Sequence, residues 1–541
     1  MSWLRSLARF VILPAMLLLG VAAGCGGSDP VATDTPPPAP GGEPPPAPPP
    51  PPAPPVTGVS DTVVITINAA TSRQEVEGFG GTTQPLVFGG VDFLGGLRPA
   101  AIRAAFDEVG INQGMLSVGV VESPAAAGDP FNQRQNDNAD PDVIDPAGFN
   151  FVGATTLQQT VLTPAAAWGY RSRELGPLLN LRGPLDWLTT VRASDYQRYL
   201  NESAEHVVAV MQHWRDTKGE TPRLLHLFNE PTSGNQELQS SSTQEVVDLV
   251  KRVGEALRRA GFSEVQFVVP NEETMARSHQ VAQAILSDPG ARPFVGAIGF
   301  HQYPLGSAYA SPRRILESSG SGVPDPSARQ ELEQLRALGA QFGVPLWMTE
   351  VSEGPGRNDF TPEAIENVLA RAIHIHDVFT YGGVSSFFGM NTIWDRRSHD
   401  AHFAGRGIPF TTEQSGMVLA DQQDGSVRIT GMGYAVGHYA RWLGPGARVL
   451  EASSSRPRVV ASAFRDPASE RLVVIAVNNS TENMLVRVQV NGAVIGGAVE
   501  GETSYGTVRW APVSDAAVGS DGVTTVNVRA RSVVTLALPL Q

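Results

Sequence analysis

From residue 78 to about residue 445, short apolar runs alternate with stretches of helical periodicity, and no other feature leaves this chain fewer choices of fold. Repeated strand–helix units argue for a parallel sheet covered by helices. The pattern predicts helices over Leu97–Val109, Asp195–Asp216, Thr243–Ala260, Ala328–Phe342, Pro362–Tyr381 and Gly433–Leu443. Between them it predicts strands at Gln74–Thr83, Ile111–Val121, Thr163–Ser172, Arg223–Glu230, Val265–Pro270, Phe294–Tyr303, Val344–Glu350 and Gly383–Asn391. That makes about eight units, the number of a (β/α)8 TIM barrel. In Gln74–Thr83, Gly80 and Gly81 are expected where backbone must pass close to another group, since the spacing fits no nucleotide fingerprint.

Two of the strands stop abruptly on a carboxylic acid. Arg223-Leu-Leu-His-Leu-Phe-Asn-Glu-Pro231 ends in Glu230, where the ring of Pro231 disfavours helical geometry and removes a ladder donor. Val344-Pro-Leu-Trp-Met-Thr-Glu350 ends in Glu350. A lone Asn-Glu-Pro could be only a turn, but two glutamates at one end of one barrel are a chemical pair. Hydrolysis of a glycosidic bond needs one carboxylic acid to protonate the leaving oxygen and a second carboxylate to attack or to activate water. Asn271-Glu272 repeats the Asn-Glu pairing without the proline and one strand later, so Glu272 is a decoy for the acid, and Glu353 falls in the loop beyond its strand. His374 and His376 are two apart on a helix and so face different ways, and no zinc-like ligand cluster is legible.

A net charge of −14 disfavours nucleic acid as a partner. The single cysteine, Cys25, rules out an internal disulfide framework. It follows a basic start (Arg5, Arg9) and an apolar run from Phe10 to Ala23, a secretory pattern whose Val-Ala-Ala-Gly-Cys25 end resembles a bacterial lipobox. A cleaved signal peptide with an incidental cysteine is the other reading. Residues 26–60 are dense in proline and predict an extended tether. After Pro445-Gly446 the character changes to short strands, Val459–Phe464, Leu472–Val477, Met484–Val490 and Val533–Leu538, separated by Asn, Gly and Ser turns. These predict a β-sandwich, which the strand Thr62–Asn68 is placed to join. The expected organisation is therefore a leader over 1–25, a linker over 26–60, a barrel over 78–445, and a sandwich from 61–77 plus 446–541.

Four stretches, in order, resemble glycoside hydrolase family 30: Gln74-Glu-Val-Glu-Gly-Phe-Gly-Gly81 its opening motif, Asn229-Glu230-Pro231 and Thr349-Glu350 its two glutamate sites, and Gly433 to Gly446 its junction into a side sandwich. The resemblance spans roughly Thr62 to Gln541. It implies Glu230 as general acid/base and Glu350 as nucleophile of a retaining mechanism on the fourth and seventh strands, with Asn229 holding the sugar's 2-hydroxyl. It also implies an arginine near the second strand, yet Ile111–Glu122 has none; Met115 stands near its place, and Arg171 or Arg173 would have to reach in.

His301 and Tyr303 end a strand on the expected catalytic face and are candidates to bond the nucleophile or the sugar, with a satisfied core histidine as the other reading. Of Trp168, Trp347 and Trp394, only Trp394 is expected to stack on sugar. The resulting expectation is a secreted, lipid-anchored glycoside hydrolase acting on a polysaccharide such as xylan or a β-1,6-linked glucan or galactan, monomeric and without cofactor or metal. A β-xylosidase or β-glucuronidase type of the same clan, and an inactive glycan-binding surface lipoprotein, are the alternatives.

Overall fold

The computed structural model describes residues 51–541 apart from 52, 55, 60, 83–93, 117–135, 150–157, 171–173, 177, 180–186, 219–220, 234–240, 304–310, 323, 353–359, 403–408, 413–415 and 445. Cys25, its leader and the linker up to residue 50 thus lie outside the described residues. Among the described residues no helix is long and apolar enough to cross a membrane.

The chain opens with β1 (Asp61–Glu75) and then enters a barrel of β2 (Gly78–Gly81), β3 (Met115–Leu116), β4 (Glu174–Leu175), β5 (Leu224–His226), β6 (Gln266–Glu272), β7 (Val295–His301), β8 (Leu346–Glu350) and β9 (Val384–Gly389). Among the described residues these eight form one sheet, in the order β2-β9-β8-β7-β6-β5-β4-β3. A parallel bridge from Gly80 to Gln113 joins its two ends into a ring. Glycine is required there, because a Cβ on Gly80 would collide with the Gln113 backbone carbonyl. The continuous apolar reading of the strands follows from burial on both faces. Val268, Ala297, Trp347 and Phe388, one from each of β6 to β9, pack together as one cluster. Their neighbours Val269, Ile298, Met348 and Phe387 belong instead to the large cluster formed with the helices.

One strand expectation fails. Thr163–Ala166 is helical, and the third barrel strand comes later, at Glu174–Leu175. Pro164 at the start of the helix and the alanines after it favour a helical turn over a strand. Helix α1 (Thr243–Arg259) shows the usual logic: Ser242 caps it by accepting from the Glu245 N–H, and Val246, Leu249, Val250, Val253 and Leu257 form its buried stripe. Burying each of those side chains contributes about 1.5–3 kcal/mol.

After the barrel come a three-stranded sheet, β10 (Ile393–Asp395), β11 (Val418–Asp421) and β12 (Ser426–Ile429), and then the side domain. That domain contains β13 (Arg448–Ser454), β14 (Val459–Asp466), β15 (Arg471–Asn478), β16 (Met484–Asn491), β17 (Glu500–Tyr505), β18 (Val508–Pro512), β19 (Ala517–Val518), β20 (Thr524–Val528) and β21 (Ser532–Pro539). With β1 they make a ten-stranded β-sandwich sheet in which β1 runs antiparallel to β13 and parallel to β16. The last residues of the proline-rich stretch lie against this domain: Ala53 N–H donates to Pro512 O at 3.3 Å, and Asn483 donates to Thr57 O at 2.8 Å.

Barrel and sandwich are joined through α2 (Ile365–Thr380) and α3 (Gly431–Ala440). His376 of α2 meets Ser462 Oγ at 2.9 Å. His438 of α3 is fully buried between Thr535 Oγ1 at 2.9 Å and Ser504 Oγ at 2.8 Å. Beside it Glu502 lies 3.7 Å from His438 Nδ1 and 3.3 Å from Arg441, whose guanidinium stacks over Trp510 at 4.5 Å.

Candidate active site

The site is built at the C-terminal ends of β5 to β8, the end of a barrel where successive loops converge. On β5 the ladder stops at His226, and Leu227, Phe228 and Asn229 carry the chain to Glu230. Glu230 is in the left-handed region, with φ 46°. A non-glycine residue there costs on the order of 1 kcal/mol. Local hydrogen bonds offset the strain: Glu230 N–H donates to Asn271 O at 2.8 Å, and Ser233 donates to Glu230 O through its N–H at 3.2 Å and its hydroxyl at 3.0 Å.

Two register shifts set the directions of the neighbouring groups. On β6 the pairing with β7 skips Asn271, whose φ is 58°. Between β7 and β8 it skips Thr349, so that His301 stands opposite Glu350. Asn271 is the strut between the two glutamate-bearing strands. Besides its backbone bond to Glu230, its Oδ1 accepts from Thr349 Oγ1 at 2.8 Å and its Nδ2 donates to Phe228 O at 3.3 Å and Val268 O at 2.9 Å.

His301 lies between the acids, buried, with Nδ1 3.0 Å from Glu230 Oε1 and Nε2 3.9 Å from Glu350 Oε2. Burial alone would lower its pKa, but the charge of Glu350, the hydrogen bond and charge of Glu230, and the charge of Glu272 together outweigh it, and the net shift is upward. Tyr303 donates its hydroxyl to Glu350 Oε1 at 2.7 Å. Burial first, and then Glu350, hold that phenol well above its usual range, so it remains a donor. Behind Glu350, Gln302 N–H donates to the Glu350 carbonyl at 3.2 Å, and the Gln302 side chain contacts His374, which in turn meets Arg371 at 2.6 Å. His374 and His376 therefore do face different ways, one to the barrel and one to the sandwich.

One ligand-type atom from each of Glu230, His301 and Glu350 falls within 4.8 Å of the other two, and among the described residues no other such cluster of His, Cys, Asp or Glu occurs. Each acid has a hydrogen-bond partner at the mouth: His301 Nδ1 pairs with Glu230, and the Tyr303 hydroxyl donates to Glu350. Of the sequence candidates, Glu230, Glu350, His301 and Tyr303 come together here, with Asn229 half-buried beside them. Trp394 does not present a face for stacking. It is 4% exposed and packs with Phe410 and Leu419, because β10 pairs with β11 in a separate small sheet. Glu353, Arg171 and Arg173 lie outside the described residues, as does the Met115 side chain. The strut Asn271 carried no local sequence signal beyond its place before Glu272, and its partners other than Val268 are distant in the chain.

No protein-family model and no curated protein sequence matches the chain. Solved structures do. The family 30 subfamily 8 xylanase from Clostridium acetobutylicum superposes with a TM-score of 0.59 at 16% identity, over 88% of this chain and 99% of its own. The fold is the one family 30 glycoside hydrolases have. An endo-β-1,6-glucanase matches at 0.59 and 16% identity over 89% of this chain and 95% of its own. The family 51 arabinofuranosidase from Xanthomonas axonopodis pv. citri matches at 0.55 and 13% identity, over 88% and 100%. At such identities the likeness is one of fold, and function must be argued from the site.

Proposed function

We propose that this chain is a retaining glycoside hydrolase, with Glu230 as acid/base and Glu350 as nucleophile. The observation that carries the reading is the approach of the two carboxylates, whose oxygens come within 4.8 Å across the barrel mouth, from beyond β5 and from the tip of β8, with β6 and β7 between them. Retaining pairs stand about 5–5.5 Å apart, whereas inverting pairs leave about 6.5–9.5 Å for a water. Glu350 attacks the anomeric carbon while Glu230 gives its proton to the departing oxygen. Water, deprotonated by the same Glu230, then releases the glycosyl group from Glu350. His301 keeps the two acids from facing each other as bare anions, and Tyr303 holds the attacking carboxylate in one rotamer.

Asn229, next to Glu230 in the chain, bonds the sugar's 2-hydroxyl in this reading, the role that the resemblance to family 30 implies for it. The structural neighbours named as xylanases and an endo-β-1,6-glucanase make xylan and β-1,6-glucan the first substrates to try. Cys25, after its apolar leader, serves as a lipidation site that holds the enzyme at a membrane surface by the proline-rich tether.

The decisive experiment follows the anomeric proton by NMR during hydrolysis of a panel of β-glycans, beside Glu350→Gln. Release of the β-anomer, abolished in the variant, is the expected outcome. Initial release of the α-anomer would reject retention. Binding without release in the native protein, unchanged by Glu350→Gln, would reject the enzyme.

A further inference from the structure

Glu272, at the tip of β6, is a third carboxyl beside the pair, and the chemistry above leaves it without a role. It is fully buried; Oε1 accepts from the Thr232 backbone N–H at 3.0 Å, while Oε2 is buried with no hydrogen-bond partner. Thr232 is the second residue after Glu230. On its other side Arg277 donates to Thr232 O at 2.7 Å and to Thr232 Oγ1 at 3.3 Å. Glu272 and Arg277 therefore grip one residue from two directions, and that residue ends the strained turn through Glu230 and Pro231.

Such a grip is costly enough to need a reason. Burial pushes the Glu272 carboxyl up to about 7, against the pull of its Thr232 bonds, Arg277 and His301. An apolar side chain would fill the same space without that cost. Its charge also reaches His301, the group that touches Glu230. By contrast Glu350 stands on β8, where Tyr303 donates to it and its strand pairs with β7.

We propose that Glu272 is a positioning residue for the acid/base: by fixing Thr232 it holds the Pro231 turn, and through it aims the left-handed Glu230 at the leaving oxygen. The proposal rests on the glycosidase reading. It separates the two carboxylates functionally, since loosening the turn removes proton donation and leaves the nucleophile in place.

Leaving-group dependence reads that separation. Glu272→Ala and Glu272→Gln are compared with the native protein on a 2,4-dinitrophenyl β-glycoside, whose departure needs no proton, and on an oligosaccharide of the same sugar, whose departure does. Glu272→Ala is expected to lower kcat on the oligosaccharide at least about tenfold, within the roughly 100-fold that a 1 Å misplacement can cost, with KM nearly unchanged. The loss in the glycosylation step on the dinitrophenyl substrate, read as kcat/KM, should stay under about twofold. Glu272→Gln keeps an acceptor for Thr232 N–H and should recover most of the oligosaccharide rate. Equal losses on both substrates, or no loss on either, overturn the proposal. The crystal structure of Glu272→Gln and, where it folds, Glu272→Ala gives a readout that needs no activity. If the native protein cleaves neither glycoside, the glycosidase reading fails by itself. A turn and a Glu230 φ unchanged in Glu272→Ala, or no Glu272→Ala fold and a displaced turn in Glu272→Gln, overturn the positioning role whether or not the protein is active.

Discussion

Two places in this molecule bury a histidine against a glutamate, and the two imidazoles are shifted in opposite directions. At the barrel mouth His301 sits among Glu230, Glu350 and Glu272, and its pKa is raised in spite of burial. At the seam with the sandwich, His438 lies 3.7 Å from Glu502, yet burial first, and then the charges of Arg441 and Arg509, lower its pKa to about 3. Glu502 itself is pushed up to about 7, by burial above all. The residue types match; the surrounding charge does not. The carboxyl groups at the mouth raise the imidazole of His301 against its burial, whereas at the seam burial, reinforced by nearby guanidiniums, lowers that of His438, which is hydrogen-bonded to two hydroxyls as a structural rivet.

The sharpest test of the difference is loss of function at the mouth. Glu350→Gln should reduce glycan hydrolysis by roughly 10³-fold or more, as removal of a covalent nucleophile does, with little change in melting temperature. Next in size, His301→Gln should lower kcat by about 10²-fold, the lower end of what acid–base machinery supplies. The equivalent His438→Gln should leave kcat within twofold and appear in denaturant unfolding, because two buried hydroxyls lose their partner at a cost of about 2–3 kcal/mol. A loss of kcat in His438→Gln matching that in His301→Gln would erase the comparison.

Glu502→Gln sharpens it through pH. Because the folded pKa lies above the unfolded value of 4.5, the protonated carboxyl contributes stability that is complete below about pH 4.5 and is lost as pH rises through about 7. The native protein should therefore lose up to about 3 kcal/mol from this group between pH 4.5 and 8, and Glu502→Gln should not. Denaturant melts of both proteins at pH 5 and pH 8 measure it; equal pH dependence would show that Glu502 does not titrate across that range. The smallest effect is expected at Trp394. Trp394→Phe should cost about 1–2 kcal/mol of stability from lost packing against Phe410 and Leu419, with KM for glycan unchanged. A several-fold rise in KM would return Trp394 to the mouth.

Much of the barrel half carrying β5 to β9 could be read from the chain, because parallel strands buried on both faces are unbroken apolar runs and the helices between them are strongly amphipathic. The placing of both glutamates at strand tips followed from Pro231 and from the abrupt polarity of Glu350. The third strand could not be read, since β4 spans only Glu174–Leu175 and the alanine-rich segment before it is helical. Strands such as β19 and β20 escaped for a similar reason: they are short and paired at one edge of the sheet. Trp394 looked exposed because nothing local reveals that β10 leaves the barrel for a small sheet. The pKa shifts of His301 and His438 are furthest from legible, since burial and charges brought together only by the fold decide them.

The position of β1 has a consequence in time. Its partners β13 and β16 are about four hundred residues downstream, on the far side of every barrel strand, so the side domain is among the least local structures a chain of this size can form. During synthesis β1 emerges long before anything it can pair with, and must wait unpaired while the barrel is made. A fragment beginning after the barrel would lack its central strand and leave β13 and β16 with facing unsatisfied edges, an invitation to self-association.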